Sequence, residues 1–438
     1  MSDNTDTTDP TVRPTTEDVA AGLNRRAFLA TTAAGAGVTT LAGCLGDSDD
    51  DTISLGALYI FSGFASLYGE EAQRGFGLAV EEINENGGID GQEVEVISRD
   101  TEADTDAGIR QMRSLIEEDG VDGLFGLDSS GVAQGMAPQI EAEAIPMMVT
   151  HAATPFLTSP TGEHENSVGN EWVFRNSVDL SINMYGAAQV AAELDADEWA
   201  TIGADYAFGY ETWDYFRAFC EGLGVDAEFI EEQYPALGTS DYTPYINSVL
   251  NAEPDAVITP LWGADLTTFL GQADEAGWFD EVDFTLMTTG LGAELTTEGP
   301  LMPEGDYGAT RYDPFVPDTE ANNTFRETYV DEYGRLPNYN AEGAYRAVYL
   351  YKEAIEEAGT DSEAIRDAFA DLQHEGPVGE YEFAENTNQA TLPALWGEVG
   401  ASDEWDDNIL DPAVAYEVTS EEMQDTLDAA GSDLPPGL

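Results

Sequence analysis

The chain has 438 residues, enough for two ordinary domains with sizeable cores. It carries 87 acids against 15 bases, a formal charge of −72, while 42% of its residues are hydrophobic. The charge excludes a nucleic-acid partner, and the hydrophobic share excludes a disordered chain.

The first 44 residues do not read as fold. Arg25 and Arg26 stand just before Phe28-Leu29 and an apolar, Ala/Gly/Thr-rich stretch that ends Leu41-Ala42-Gly43-Cys44. The pattern predicts a twin-arginine export signal over 1–43, too short and small-sided for a stable membrane span. Leu-Ala-Gly-Cys resembles the lipobox of bacterial-type lipoproteins, which makes Cys44 the expected lipidation site. The acidic 44–51 segment is expected to be a solvated tether. With Cys44 lipidated, Cys220 has no thiol to pair with and reads as a buried structural thiol.

From residue 52 strands and helices alternate. A strand at 53–61 leads into a helix carrying Ala72, Phe76, Ala79, Val80 and Ile83 on one apolar stripe, stopped by Asn86-Gly87-Gly88. Strands at 92–98, 121–127 and 145–150 follow, separated by helices, and 172–175 is extended. A second run starts near 198, with strands at 199–203, 225–230, 255–261 and 283–288 and helices at 209–223, 242–252 and 264–276. After 307 the pattern predicts helices at about 319–333, 339–358 and 361–371, then strand-like segments near 378–383 and 393–399. This alternation predicts an α/β fold of two Rossmann-like lobes, each a parallel sheet flanked by helices. No segment after the signal has 18 consecutive apolar residues, so the mature chain is not expected to span a membrane.

Several short motifs point to one family. Phe61-Ser62-Gly63, Tyr68-Gly69 and Gly87-Gly88-Ile89-Asp90-Gly91 resemble the opening of Leu/Ile/Val-type periplasmic binding proteins of ABC transporters. Ala152-Ala153-Thr154 and Asp205-Tyr206-Ala207-Phe208-Gly209 resemble further signatures of that family, and the likeness runs from about 52 to 400. With the N-terminal signal, the chain resembles the lipoprotein type found in salt-loving archaea. The resemblance implies a type I binding-protein fold with a three-segment hinge. Lobe 1 would hold 52–173 and 312–377, and lobe 2 would hold 178–307 and 390–438. It implies an extracellular substrate-binding protein that closes on a small polar solute (an amino acid, amide or carboxylate) and delivers it to membrane permease subunits. The expected protein is a monomer without cofactor or metal, held at the cell surface through lipidated Cys44. A sensor feeding a chemotaxis transducer is the alternative.

The residues support a ligand cradle. Asp128-Ser129-Ser130-Gly131 follows a strand and opens a helix, which places Ser129 or Ser130 as an N-cap. Thr154-Pro155 repeats the arrangement. By resemblance, Ser129, Thr154 and the backbone of Ala152, beside Ala153, hold a ligand carboxylate, and Tyr68, Phe208 and Trp262 form aromatic walls. Thr289 stands where Leu/Ile/Val binders place an acid against the ligand's ammonium. Threonine cannot neutralise that charge, which leaves Asp128, Asp205 and Asp265 as substitutes and the ligand open.

An enzyme is not expected. Gly126-Leu127-Asp128-Ser129-Ser130-Gly131 is not a nucleophile elbow. The chain has three histidines, His151, His164 and His374, none in a metal-ligand spacing. Acids spread along the whole chain predict adaptation to a salty setting, because the Debye length shrinks to roughly 3 Å near 1 M salt. A melting temperature that stays the same from tens of millimolar to molar KCl would contradict that expectation.

Overall fold

A computed structural model describes residues 52–297, 305–401 and 408–438. Arg25, Arg26, Cys44 and the acidic tether lie outside the described residues.

The chain opens with β1 (Thr52–Tyr59), α1 (Ser66–Glu85), β2 (Glu93–Asp100), α2 (Thr105–Ser114), β3 (Gly123–Gly126), α3 (Ser130–Glu143), β4 (Met147–Val149) and β5 (Val173–Arg175). These strands form one parallel sheet in the order β2-β1-β3-β4-β5. Its central strands are apolar without interruption: Leu124, Phe125 and all of Met147–Val149 are buried. A parallel strand covered on both faces has this pattern.

The second sheet follows α4 (Leu180–Ala191). It is built by β6 (Glu198–Ile202), α5 (Ala207–Leu223), β7 (Glu228–Gln233), α6 (Thr243–Ala252), β8 (Ala256–Thr259), α7 (Ala264–Ala276), α8 (Trp278–Glu281), β9 (Phe284–Met287), α9 (Ala293–Thr297) and β10 (Tyr307–Thr310). Strands β7-β6-β8-β9-β10 are parallel. The chain then returns through α10 (Glu320–Tyr333), α11 (Tyr339–Ala358), α12 (Ser362–Asp371) and the hairpin β11 (Gln373–Gly376) and β12 (Gly379–Glu382). It closes with β13 (Ala394–Ala401), β14 (Asn408–Leu410), β15 (Val414–Tyr416) and α13 (Ser420–Ala430). Strand β13 adds to β10 antiparallel, with β14 and β15 paired to β13.

The late helices cover the first sheet. The Tyr351 hydroxyl of α11 accepts from Leu124 N–H at 2.9 Å and lies 2.7 and 2.8 Å from the Leu124 and Pro146 carbonyls. Helix α1 lies so close to α11 that a Cβ at Gly75 would fall 1.8 Å from the Ala341 carbonyl oxygen. No side chain fits there. The burial of the α1 stripe Ala72, Phe76, Ala79 and Ile83 follows from this contact and the sheet beneath.

Helices α4 and α13 are among those that escape the sequence periodicity. Helix α4 is buried at every position except Gln189, so it shows no polar face from which a 3.6-residue stripe could be read. Helix α13 carries a complete capping box, Thr419 with Glu422, a signal present in the sequence but not used there. Strand β10 lies in the stretch before the first late helix, where no element was expected. Cys220 is fully buried in α5, and burial pushes its thiol pKa up, as a structural thiol requires.

Candidate functional site

The first sheet's β3 and β4 end at the loops around Asp128 and His151. The second sheet's β6, β8 and β9 end at loops carrying Tyr206, Trp262 and Thr289. These ends face one another. Phe64 and Tyr68, from the first lobe, meet Trp262 with ring centroids 4.9 and 5.2 Å apart. Gly263 has φ +58, and a Cβ on it would lie 2.9 Å from the Phe64 carbonyl oxygen, so this approach requires glycine. The Asn340 side chain accepts from Ala293 N–H at 2.9 Å across the same boundary.

A small cavity lies between these ends. Of the residues named from sequence, Tyr68, Ala153, Phe208, Trp262 and Thr289 line it. Ser129, Ala152 and Thr154 do not. Ser129 is the N-cap of α3, yet its side chain makes no capping bond. Ala152 has its N–H committed to the Leu127 carbonyl at 2.8 Å. Thr154 is fully buried, precedes a single 3-10 turn, and directs its hydroxyl to the Glu211 carboxylate. The hydroxyl at the cavity belongs instead to Ser130, whose Oγ accepts from the N–H groups of Ala153 and Thr154 at 3.2 and 3.3 Å. Its proton is left to point elsewhere. A one-residue uncertainty in the helix start separates Ser129 from Ser130, and cap patterns alone do not resolve it.

Asp128, His151, Tyr206, Arg311 and Tyr339 also line the cavity. Asp128 was weighed as a partner for a ligand ammonium, but its carboxylate is used internally. Oδ2 accepts from Ile60 N–H at 2.7 Å and Oδ1 lies 2.8 Å from His151 Nδ1. Asp205 takes the Tyr210 hydroxyl and Asp265 accepts from Gly238 N–H at 2.8 Å, and neither lines the cavity. The Thr289 hydroxyl donates to the Leu261 carbonyl at 2.9 Å.

Arg311 was not visible as a site residue in the sequence. It follows β10 on a crossing segment, is 8% exposed, donates to the His151 carbonyl, and lies 5.2 Å over the Tyr339 ring. Among the described residues it forms no ion pair with a carboxylate.

A second buried arginine holds the loop in place. Arg175 donates to the carbonyls of Ala152 and Thr154 at 3.0 and 2.8 Å, to Thr158 Oγ1 at 2.6 Å and to Gln389 Oε1 at 2.5 Å. Asp179 lies 3.8 Å away. Burial lowers the Arg175 pKa to about 10, which still leaves it charged at neutral pH. Against this cluster sits Glu211 of α5, with Oε2 lacking any hydrogen-bond partner. Burial pushes its carboxyl up to about 7. Among the described residues no cluster of His, Cys, Asp or Glu could hold a metal ion, and no helix is long and apolar enough to cross a membrane.

A family model described as periplasmic binding protein matches residues 52–404. The chain belongs to that family. It is 27% identical over 345 residues to a Leu/Ile/Val-binding protein homolog 7 of Brucella suis, a match covering 75% of this chain and 83% of the relative. Its fold matches the solute-binding protein of an ABC transporter from Rhodopseudomonas palustris BisB5, solved with 3,4-dihydroxybenzoic acid. The TM-score is 0.74 at 22% identity, over 84% of this chain and 99% of that one. A similar match, TM-score 0.70 at 20% identity over 83% and 99%, is the branched-chain amino acid binding protein of Streptococcus pneumoniae with isoleucine. The fold is the two-lobed α/β architecture of these solute-binding proteins.

The Glu211 cluster gives a pH dependence. The folded form binds this proton more tightly than the unfolded chain, whose carboxyl has the ordinary value of 4.5. The resulting stability is fully present below about pH 4.5 and lost as pH rises through about 7, up to roughly 3 kcal/mol in all. In molar KCl the melting temperature should therefore fall between pH 5.5 and 8, and fall less in Glu211→Gln. Equal slopes in the two proteins would remove Glu211 as the cause.

Proposed function

We propose that this periplasmic binding protein is the extracellular substrate-binding protein of an ABC importer, closing on a small carboxylate and presenting the closed form to a membrane permease. The observation that carries the reading is Arg311, a buried cation in the cavity wall that forms no ion pair with a carboxylate among the described residues. A buried charge without a partner is costly, and an anionic ligand supplies the partner. The solved relatives hold a benzoic acid in one case and isoleucine in another, so the fold alone leaves the choice to these side chains.

In this reading the ligand carboxylate meets Arg311, the Ser130 hydroxyl and Ala153, while Tyr68, Phe208 and Trp262 enclose its body. Ser129, Ala152 and Thr154 support that corner from behind rather than touching the ligand. Lobe 1, 52–173 with 312–377, and lobe 2, 178–307 with 390–438, move about the three crossing segments. Export by the Arg25-Arg26 signal and lipidation of Cys44 hold the monomer at the outer face of the cytoplasmic membrane, in a saline setting.

Titration calorimetry of benzoate against benzamide tests the charge requirement, with folding of each variant checked by melting. Benzoate should bind and benzamide should not. Arg311→Gln and Ser130→Ala should each weaken benzoate by about ten- to a hundredfold, the loss of one charge-assisted hydrogen bond or more. Equal binding of the amide, or an indifferent Arg311→Gln, would overturn the carboxylate reading. For the anchor, Cys44→Ala should release the protein into the medium; a variant still firmly membrane-bound would end the lipoprotein reading.

A further inference from the structure

One short stretch of chain in each lobe supplies both a wall of the cavity and a contact between the lobes. In the first lobe, Tyr339 lines the cavity, its hydroxyl 3.0 Å from that of Tyr68, and it stands between Asn338 and Asn340 at the start of α11. In the second lobe, Thr289 lines the cavity four residues before α9 opens at Ala293. The two asparagines meet α9 across the boundary. Asn340 Oδ1 accepts from Ala293 N–H at 2.9 Å, and Asn338 Nδ2 donates to Thr296 Oγ1 at 3.0 Å.

Each side of this contact is held within its own lobe. Asn338 is the N-cap of α11, and its Oδ1 accepts from the N–H groups of Asn340 and Ala341, both at 3.1 Å. Its Nδ2 also lies 3.4 Å from Oε2 of Glu71 on α1. That buried carboxylate in turn takes the Tyr329 hydroxyl and the guanidinium groups of Arg74 and Arg335. Across the boundary, Leu291 and Leu295 are packed into the second lobe's core, and Asn408 Nδ2 donates to the Leu295 carbonyl at 2.9 Å. Helix α9 is therefore placed by its own lobe, and the asparagines reach it only where the lobes meet.

The contact is suited to reversible use. Both asparagines are buried, so their bonds form away from water, where a hydrogen bond is electrostatically stronger. Asn340 Nδ2, however, has no hydrogen-bond partner among the described residues. A buried donor left unmet costs free energy that water returns once the group is exposed. Parting the lobes thus recovers at one end of the Asn340 amide part of what it loses at the other. The two bonds are neutral as well, so the salt that screens the surface acids hardly touches them. A weak, salt-indifferent contact leaves the balance between open and closed forms within a ligand's power to tip.

We infer that Asn338 and Asn340 form a latch on α9 that sets how much of the empty protein already lies in its closed form, and so tunes affinity for a ligand neither residue touches. They are positioning residues, acting through the lobes. The inference rests on the reading of this protein as one that closes on its solute, and the experiment separates the two. The Cys44→Ala protein carries nitroxides at two exposed helix positions, Arg110→Cys on α2 and Glu275→Cys on α7, with the fully buried Cys220 left in place. The distance between the labels is measured in molar KCl with and without benzoate. Thr296→Val and Asn340→Leu each remove one bond and leave the α11 cap intact, and Thr296→Ser keeps the hydroxyl. Without ligand, the first two should each lower the ratio of closed to open protein by about two- to tenfold, the worth of one hydrogen bond, while Thr296→Ser matches the parent. A ratio unchanged in both variants overturns the latch, as does a lower melting temperature with no change in the ratio. Benzoate shifting the distance in the parent, with the empty variants still matching the parent, leaves closure standing and removes the latch alone. One fixed distance in every protein, with benzoate or without, removes closure and the latch together.

Discussion

The guanidinium of Arg175 is the contact on which the rest of the cleft depends. It is fully buried at the end of β5, where the chain first leaves the first sheet. Its planar array of donors suits several carbonyls at once in a way a lysine would not. Two of those carbonyls, Ala152 and Thr154, belong to the loop that forms one corner of the cavity. The Gln389 side chain belongs to the third crossing segment, which also pairs with Arg175 through the main chain, Ala390 N–H donating to the Arg175 carbonyl at 2.9 Å. One side chain therefore fixes the loop, joins two crossing segments and places the buried Asp179 and Glu211 around it. Without it, several buried carbonyls would lose their donors together, a penalty larger than that of any single surface contact.

A chain with 15 bases among 87 acids places its cations with care. Arg175, Arg311 and Arg346 are all buried. Arg346 lies 3.0 Å from Glu342 one turn away on α11, a pair enclosed by protein in which burial raises the Glu342 carboxyl to about 7. Most of the acids lie outside, where salt screens them, while the interior holds these arginines together with buried carboxylates such as Asp128, Asp179, Glu211 and Glu342. Surface repulsion and buried cation are independent variables in this molecule. The first responds to ionic strength and the second hardly does.

Much of the architecture was legible from the sequence because both sheets are built from apolar strands separated by striped helices. The late helices were readable by their periodicity, and their return to the first sheet by resemblance. Helix α4 was not legible, since a helix buried on all sides has no polar face to mark its phase. The site divided along similar lines. Tyr68, Ala153, Phe208, Trp262 and Thr289 reach the cavity because motifs near strand ends reach it. The exchange of Ser129 for Ser130 turns on a helix start that patterns place only to within a residue or two. Arg311 carried no local signal at all. It meets the His151 carbonyl from 160 residues away, and only the crossing of the chain between the sheets brings the two together.

Trp262 occupies a position with an optical consequence. It rides on the loop after β8 and sits against Phe64 and Tyr68, which belong to the opposite lobe. It is 3% exposed when the lobes meet. In the proposed opening, this indole would exchange two aromatic neighbours for water. The other large, fully buried tryptophans, Trp199, Trp213, Trp278 and Trp396, lie within the cores and keep their surroundings. In the proposed closure motion this indole is a built-in fluorophore at the boundary between lobes, and its emission colour would read the aperture of the cleft without any label.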